Sequence, residues 1–355
     1  MLPETGVAGP RAPSAYSVPA GAILVNSSMG LLAALASSAP SDLVLADGVY
    51  DHTSAFTNPN GHRVYAANLG GAVFRAGFSL GGNWGPGGAL LQGLAFDVSD
   101  PAKTLDNSIV HVWGTGKNSR LFDLSFNGHR ALGSGVVVRQ PEGFVAQRLV
   151  ARQFTDFGIL VDANQQNLTL ASPSLVEDVD VSGVGRGKTS NGRSEACVWL
   201  GNTVTLRRAR LRDCDWMGLW TGTANSGSLH EDLDIDATPV GVYLEHFTTN
   251  STFQRMRIGT QVSTGVNCEW ADPGWGGRPG CVDDVIQDST ILSSRVGVYL
   301  DEGTTRTTVR RVVFANQSWA AIGDYKGIGN TFGANDYSQI DRGAVGVSDA
   351  HMPSS

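Results

Sequence analysis

A short phrase recurs along this chain: GVVVRQ from Gly135, GILVDA from Gly158, CVWLGN from Cys197, GLWTGT from Gly218, GVYLEH from Gly241, GVNCEW from Gly265, GVYLDE from Gly297 and AAIGDY from Ala320. The spacings are 23, 39, 21, 23, 24, 32 and 23 residues, so a unit of about 23 residues repeats, with two units enlarged by insertions. Val, Tyr, Trp and Leu alternate with period two inside each phrase, while Gly, Asn, Thr and Ser fill the gaps. Each unit therefore contains a predicted strand, and the chain reads as a solenoid of such units.

A second set of phrases, half a unit later, sets the register independently. Stacking AQRLVA, VEDVDV, LRRARL, HEDLDI, FQRMRI, IQDSTI and VRRVVF brings Arg148, Asp178, Arg208, Asp232, Arg255, Asp288 and Arg311 into one column of alternating sign. Two residues on, Asp180, Arg210, Asp234 and Arg257 repeat the device. Parallel strands lie roughly 4.8 Å apart, so opposite charges on neighbouring units can pair along the sheet. Both columns read as salt-bridge ladders.

One solenoid running over residues 21–345 is the simplest organisation, between an extended arm (1–20) and a flexible tail (346–355). The 45 glycines suit it, because a coil of about 23 residues must turn several times and Gly reaches the positive φ angles of tight turns. Helical periodicity is clear only in MGLLAALASSAP, Met29 to Pro40, which reads as a cap over the open N-terminal end. No run approaches the roughly 20 apolar residues of a membrane span, and the arm lacks the apolar core of an export signal. A net charge of −7 argues against a nucleic-acid partner, which needs a basic stripe. Cys268 and Cys281 bracket the loop EWADPGWGGRPG, and Cys197 and Cys214 lie close in sequence. Disulfides, implying an oxidising compartment, and buried free thiols are both open readings. No C-x-x-C metal spacing is present.

Alternation along GVYLE puts Val242 and Leu244 inward and Tyr243 and Glu245 outward. The same split in every unit gives an outward column of Val137, Leu160, Trp199, Trp220, Tyr243, Asn267, Tyr299 and Ile322. Beside it runs Arg139, Asp162, Gly201, Gly222, Glu245, Glu269, Asp301 and Asp324. Four successive units thus present a carboxylate at one position. Stacked like charges cost stability unless a proton, cation or ligand relieves them. The next positions, Asn202, His246, Trp270, Glu302 and Tyr325, are polar or aromatic, a mixture suited to a sugar, whose hydroxyls take hydrogen bonds and whose ring faces stack on aromatics. Aromatic ladders and solvated carboxylates also stabilise sheets without binding anything. What favours a site is that both columns peak over the same units, and that insertions 183–196 and 271–280 flank them as groove walls, with Trp275 a sugar platform. Asp234 belongs to a ladder, while for Asp213 and Asp215, where DCDWMG ends one strand and begins the turn into the next, both readings stay open.

The capping helix, the strand and turn after it, the 23-residue coils and the outward site resemble the pectin-lyase-like superfamily over roughly residues 22–345. The resemblance implies an all-β right-handed parallel β-helix of about 12 coils with an N-terminal capping helix. LLAALASSAPSDLVLADGVY is similar to the opening of the alginate lyase and chondroitinase B group. The aspartate trio and RIK phrase of polygalacturonases are absent, and Asp283–Asp284 lacks those companions. Two carboxyl groups on adjacent coils, roughly 5 Å apart, fit glycoside hydrolysis or transglycosylation: Glu269 as general acid, Glu245 as nucleophile or base, Asp301 tuning them. No cofactor is required for this. The alternative is a Ca²⁺-assisted lyase on a uronic-acid polymer, with His246, Arg139, Lys188 or Arg193 as base. A third is a non-catalytic glycan-binding β-helix. The expected partner is a polysaccharide or oligosaccharide, with no membrane, the expected state a monomer or homotrimer, and the expected location extracellular.

Overall fold

The computed structural model describes residues 7–13, 16–81, 88–113, 117–139, 142–162, 173–185, 195–201, 203–222, 225–270 and 280–352. The chain forms two compact units, Pro10–Asn191 and Gly192–Ser355 with Met1–Gly9. Each is a stack of parallel strands from successive coils.

In the first unit, helix Ser28–Leu35 is capped by Ser27, whose hydroxyl accepts the Gly30 N–H, and it buries Leu31 and Leu35. The helix is shorter than Met29–Pro40 because Ala36 already forms its C-cap. One sheet stacks Phe56–Asn58, Phe78–Leu80, Ser108–Val112, Ser134–Arg139 and Phe157–Asp162 in parallel. The interior of these coils is an aromatic column, with Phe74 and Phe96 rings 5.0 Å apart and Phe96 and Phe126 rings 5.3 Å apart. The arm is tied down by the Tyr16 hydroxyl, which donates to the Ala66 carbonyl at 2.8 Å, and by the Arg11 N–H on Asp178 at 2.9 Å.

In the second unit, Ala196–Leu200, Met217–Thr221, Thr238–Leu244, Gln261–Cys268, Val296–Leu300, Ala320–Asp324 and Val345–Ser348 pair consecutively in parallel. Residues 346–348, assigned to a flexible tail from sequence, thus close the stack as a strand. The repeated glycine has a steric cause. A Cβ on Gly241 would meet the Gly265 carbonyl at 2.5 Å, one on Gly265 the Gly297 carbonyl at 2.5 Å, and one on Gly297 the Ala321 carbonyl at 2.5 Å. Only glycine lets each coil close on the next there.

The charged column occupies a bend. Asp123, Arg148, Asp178, Arg208, Asp232, Arg255, Asp288 and Arg311 all take φ between 50° and 57°. Left-handed backbone costs a non-glycine residue roughly 1–2 kcal/mol. Within each unit the bends bring opposite charges together: Arg148 Nε lies 2.5 Å from Asp123, Arg255 Nε 2.9 Å from Asp232, and Arg311 Nε 2.6 Å from Asp288. Asp123 extends the predicted column by one coil. In the second ladder, Arg257 and Arg210 hold Asp234 at 2.8 and 3.6 Å, and Arg152 holds Asp180 at 3.0 Å.

Cys197 and Cys214 form a disulfide, and Cys268 and Cys281 are buried thiols. Burial pushes both thiols up, which leaves them protonated and inert. The Asp283–Asp284 pair is split: Asp283 clasps Arg306 at 2.6 Å on the surface, whereas Asp284 is fully buried. No helix among the described residues is long and apolar enough to cross a membrane.

Candidate functional site

The outward columns of the second unit form as read for its central coils. Trp199, Trp220 and Tyr243 sit opposite one another in register, Tyr243 faces Asn267, and Asn267 faces Tyr299. The first three rings meet edge to face at 6.1 and 6.2 Å. Two residues beyond, Glu245, Glu269 and Asp301 occupy equivalent positions, their N–H groups donating to the Thr221, Leu244 and Cys268 carbonyls of the preceding coils.

The carboxylates are held by the aromatic column. Trp220 Nε1 donates to Glu245 Oε2 at 3.1 Å, Tyr243 hydrogen-bonds Glu269, and the Tyr299 hydroxyl lies 3.5 Å from Asp301 Oδ1. An unpaired stripe was expected; what forms is a set of like charges held apart by aromatic donors. These bonds relieve part of the repulsion that stacking creates.

Glu269 carries the strongest chemistry. Burial raises its carboxyl above the ordinary range and outweighs the opposing Tyr243 bond. His246, itself buried, places Nε2 3.4 Å from Glu269 Oε2, while its Nδ1 lies 2.9 Å from the Trp270 carbonyl. A carbonyl can only accept, so Nδ1 carries a proton and Nε2 is the ring nitrogen turned toward Glu269. Burial also raises Asp301, which accepts the Glu302 N–H at 2.8 Å.

The last coil departs from the predicted alignment. AAIGDY begins one residue early: Val296, not Gly297, pairs with Ala320, and Val298 pairs with Ile322. Ala321 therefore takes the glycine position, Ile322 lies in the core, and Gly323 faces Tyr299. Asp324 falls opposite Leu300, outside the acidic column, and accepts from Asn330 Nδ2 at 2.8 Å. Tyr325 replaces it, its N–H on the Leu300 carbonyl.

Other expected residues scatter. Val137, Leu160 and Tyr299 take outward positions yet are only 4%, 8% and 2% exposed. Trp270 is exposed, and Glu302 engages Lys326 at 3.1 Å. In the first unit, Arg139 is ion-paired with Asp162 and is not a free base. Asn202, Trp275, Lys188 and Arg193 lie outside the described residues. His111 and Trp113 were missed. They stack at 4.6 Å, and His111 takes an outward position opposite Ser79 and Val137. Their coil lacks the repeated phrase, so no alignment exposes them. His351, against Tyr325 and Tyr299, was also missed.

Among the described residues, no three His, Cys, Asp or Glu side chains converge as a metal-ligand group. No protein-family model and no curated protein sequence matches the chain. Solved structures do. An A-module of a mannuronan C-5 epimerase from Azotobacter vinelandii matches at TM-score 0.60 and 15% identity, over 93% of this chain and 96% of that one. The fold is a parallel β-helix. A surface adhesin of Streptococcus pneumoniae shares this β-helix at TM-score 0.62 and 10% identity over 88% of each chain. The catalytic domain of a family GH87 α-1,3-glucanase does so at TM-score 0.55 and 11% identity, over 95% of this chain and 69% of that one.

Proposed function

We propose that this protein is an extracellular carbohydrate-active enzyme that cleaves glycosidic bonds of a polysaccharide or oligosaccharide with paired carboxyl groups. The observation that carries the reading is the contrast between two neighbours in one row. Glu269, pushed up by burial and lying 3.4 Å from His246 Nε2, supplies the general acid. Glu245, on the adjacent strand and held by the Trp220 indole, supplies the nucleophile or base. Carboxyl groups driven apart by their surroundings are the requirement for acid and base work at one pH. Asp301 positions the sugar, and Trp199, Trp220, Tyr243 and Trp270 offer ring faces. The reaction needs no cofactor. The Cys197–Cys214 disulfide and the likeness to a surface adhesin support an extracellular setting.

Elimination is the second reading, favoured by the imidazole beside the acidic row: His246 would take the C-5 proton of a uronate, with Ca²⁺ held on the carboxylates. A panel of neutral and uronic polysaccharides separates the two. New reducing ends without ultraviolet absorbance support hydrolysis. Absorbance of unsaturated sugars that disappears with chelator supports elimination. No product from any glycan leaves a binding protein.

A further inference from the structure

Tyr299 stands in the outward aromatic column, yet it is buried, whereas Trp220 and Tyr243 in the same column are partly open. The cover is the segment that follows strand Val345–Ser348. The Ala350 N–H turns back onto the Ser348 hydroxyl at 3.2 Å. The His351 ring then stands perpendicular to Tyr325, centroids 4.6 Å apart, and edge-on to Tyr299 at 6.3 Å. The Met352 N–H donates to the Tyr299 hydroxyl at 3.3 Å, and the Thr264 hydroxyl meets the Met352 sulfur at 4.0 Å. Tyr325, Tyr299 and Thr264 belong to three successive coils. The segment therefore runs across the strands, down the stack, along the line that a sugar chain would follow over the aromatic column. Burial with the Asp301 charge nearby pushes the Tyr299 hydroxyl up to about 12, so it stays protonated and available to this contact.

Resting on the cleavage reading above, we propose that residues 350–352 are a specificity strap: they close the glycan face at Tyr299, so that the face accepts a chain end and excludes the interior of a polymer. Glu245 and Glu269 lie on the open side, toward Trp220, and Asp301 lies beside the closure. A sugar entering from the open side meets the two proposed reacting carboxyl groups before it meets the strap. A blocked channel of this kind selects ends by exclusion.

The test compares the parent with His351→Gly/Met352→Gly and with Met352→Pro, which keeps His351, removes the Met352 amide donor and sulfur contact, and guards against misfolding of the double variant. Tetranitromethane labelling, read by peptide mass spectrometry, reports access to Tyr299, and product lengths from the glycan panel report where chains are cut. The strap predicts about tenfold faster nitration of Tyr299 in the variants, with Tyr243 unchanged, and a switch from short terminal products to internal fragments. Equal nitration of Tyr299 in all three proteins overturns the strap. So does faster nitration with unchanged product lengths. Turnover absent in every protein removes the cleavage reading, and end selection with it.

Discussion

Replacing Asp284 with Asn probes the interior of the second unit. Asp284 is fully buried, its Oδ1 accepts the Ser251 N–H at 2.8 Å, and its Oδ2 has no hydrogen-bond partner. Burial raises its pKa from 3.8 to about 8. The folded state therefore holds a proton that the unfolded state releases, and the associated stability is fully present below about pH 4. It declines by about 1.4 kcal/mol per pH unit as the pH rises toward about 8, for a total on the order of 6 kcal/mol, and then levels off. Water entering around the ionised group lowers that total toward a few kcal/mol. Asparagine keeps the shape and the Ser251 acceptor but cannot ionise. Urea unfolding of both proteins across this window should show the variant overtaking the parent as pH rises, by about 4 kcal/mol near neutrality before relaxation. Stability profiles that stay parallel across the window would refute the reasoning.

Other consequences are simpler to state. Arg255→Ala leaves the partly buried carboxylates of Glu231 and Asp232 without their shared cation, at 2.9 Å in the case of Asp232. After allowance for solvent at this half-open site it should cost about 1–2 kcal/mol, and an unchanged melting temperature would count against the ladder. Gly265→Ala drives a Cβ to 2.5 Å from both the Gly297 carbonyl and Ile291, and should destabilise by about 3 kcal/mol in urea titration.

The coil period, the inward and outward sets of the central units and both ladders were legible because each rests on a spacing that recurs several times. Ala320 was aligned wrongly because AAIGDY offers two alanines for one glycine slot. An isoleucine on the outward side was the available sign of the slip, since Ile322 belongs in the core. The left-handed bends were hidden, because Arg and Asp do not announce positive φ as glycine does. The first coils carry no repeated phrase, and stacked Phe74, Phe96 and Phe126 rings close them instead. In the candidate site, the acidic row followed from register, while the donors that hold it did not. Trp220 reaches Glu245 only across coils, and His246 meets Glu269 only once the Trp270 carbonyl fixes its ring. His351 and Met352 reach the aromatic column by a reversal of the chain that no local pattern encodes.

The most direct measurement is turnover by Glu269→Gln beside the parent on whichever glycan of the panel the parent cleaves, with melting temperature followed in the same samples. The variant keeps the shape of the side chain and removes the ionisable carboxyl beside His246. The account predicts a fall in kcat of about 100-fold or more with folding intact. Full activity in a folded Glu269→Gln protein would contradict it.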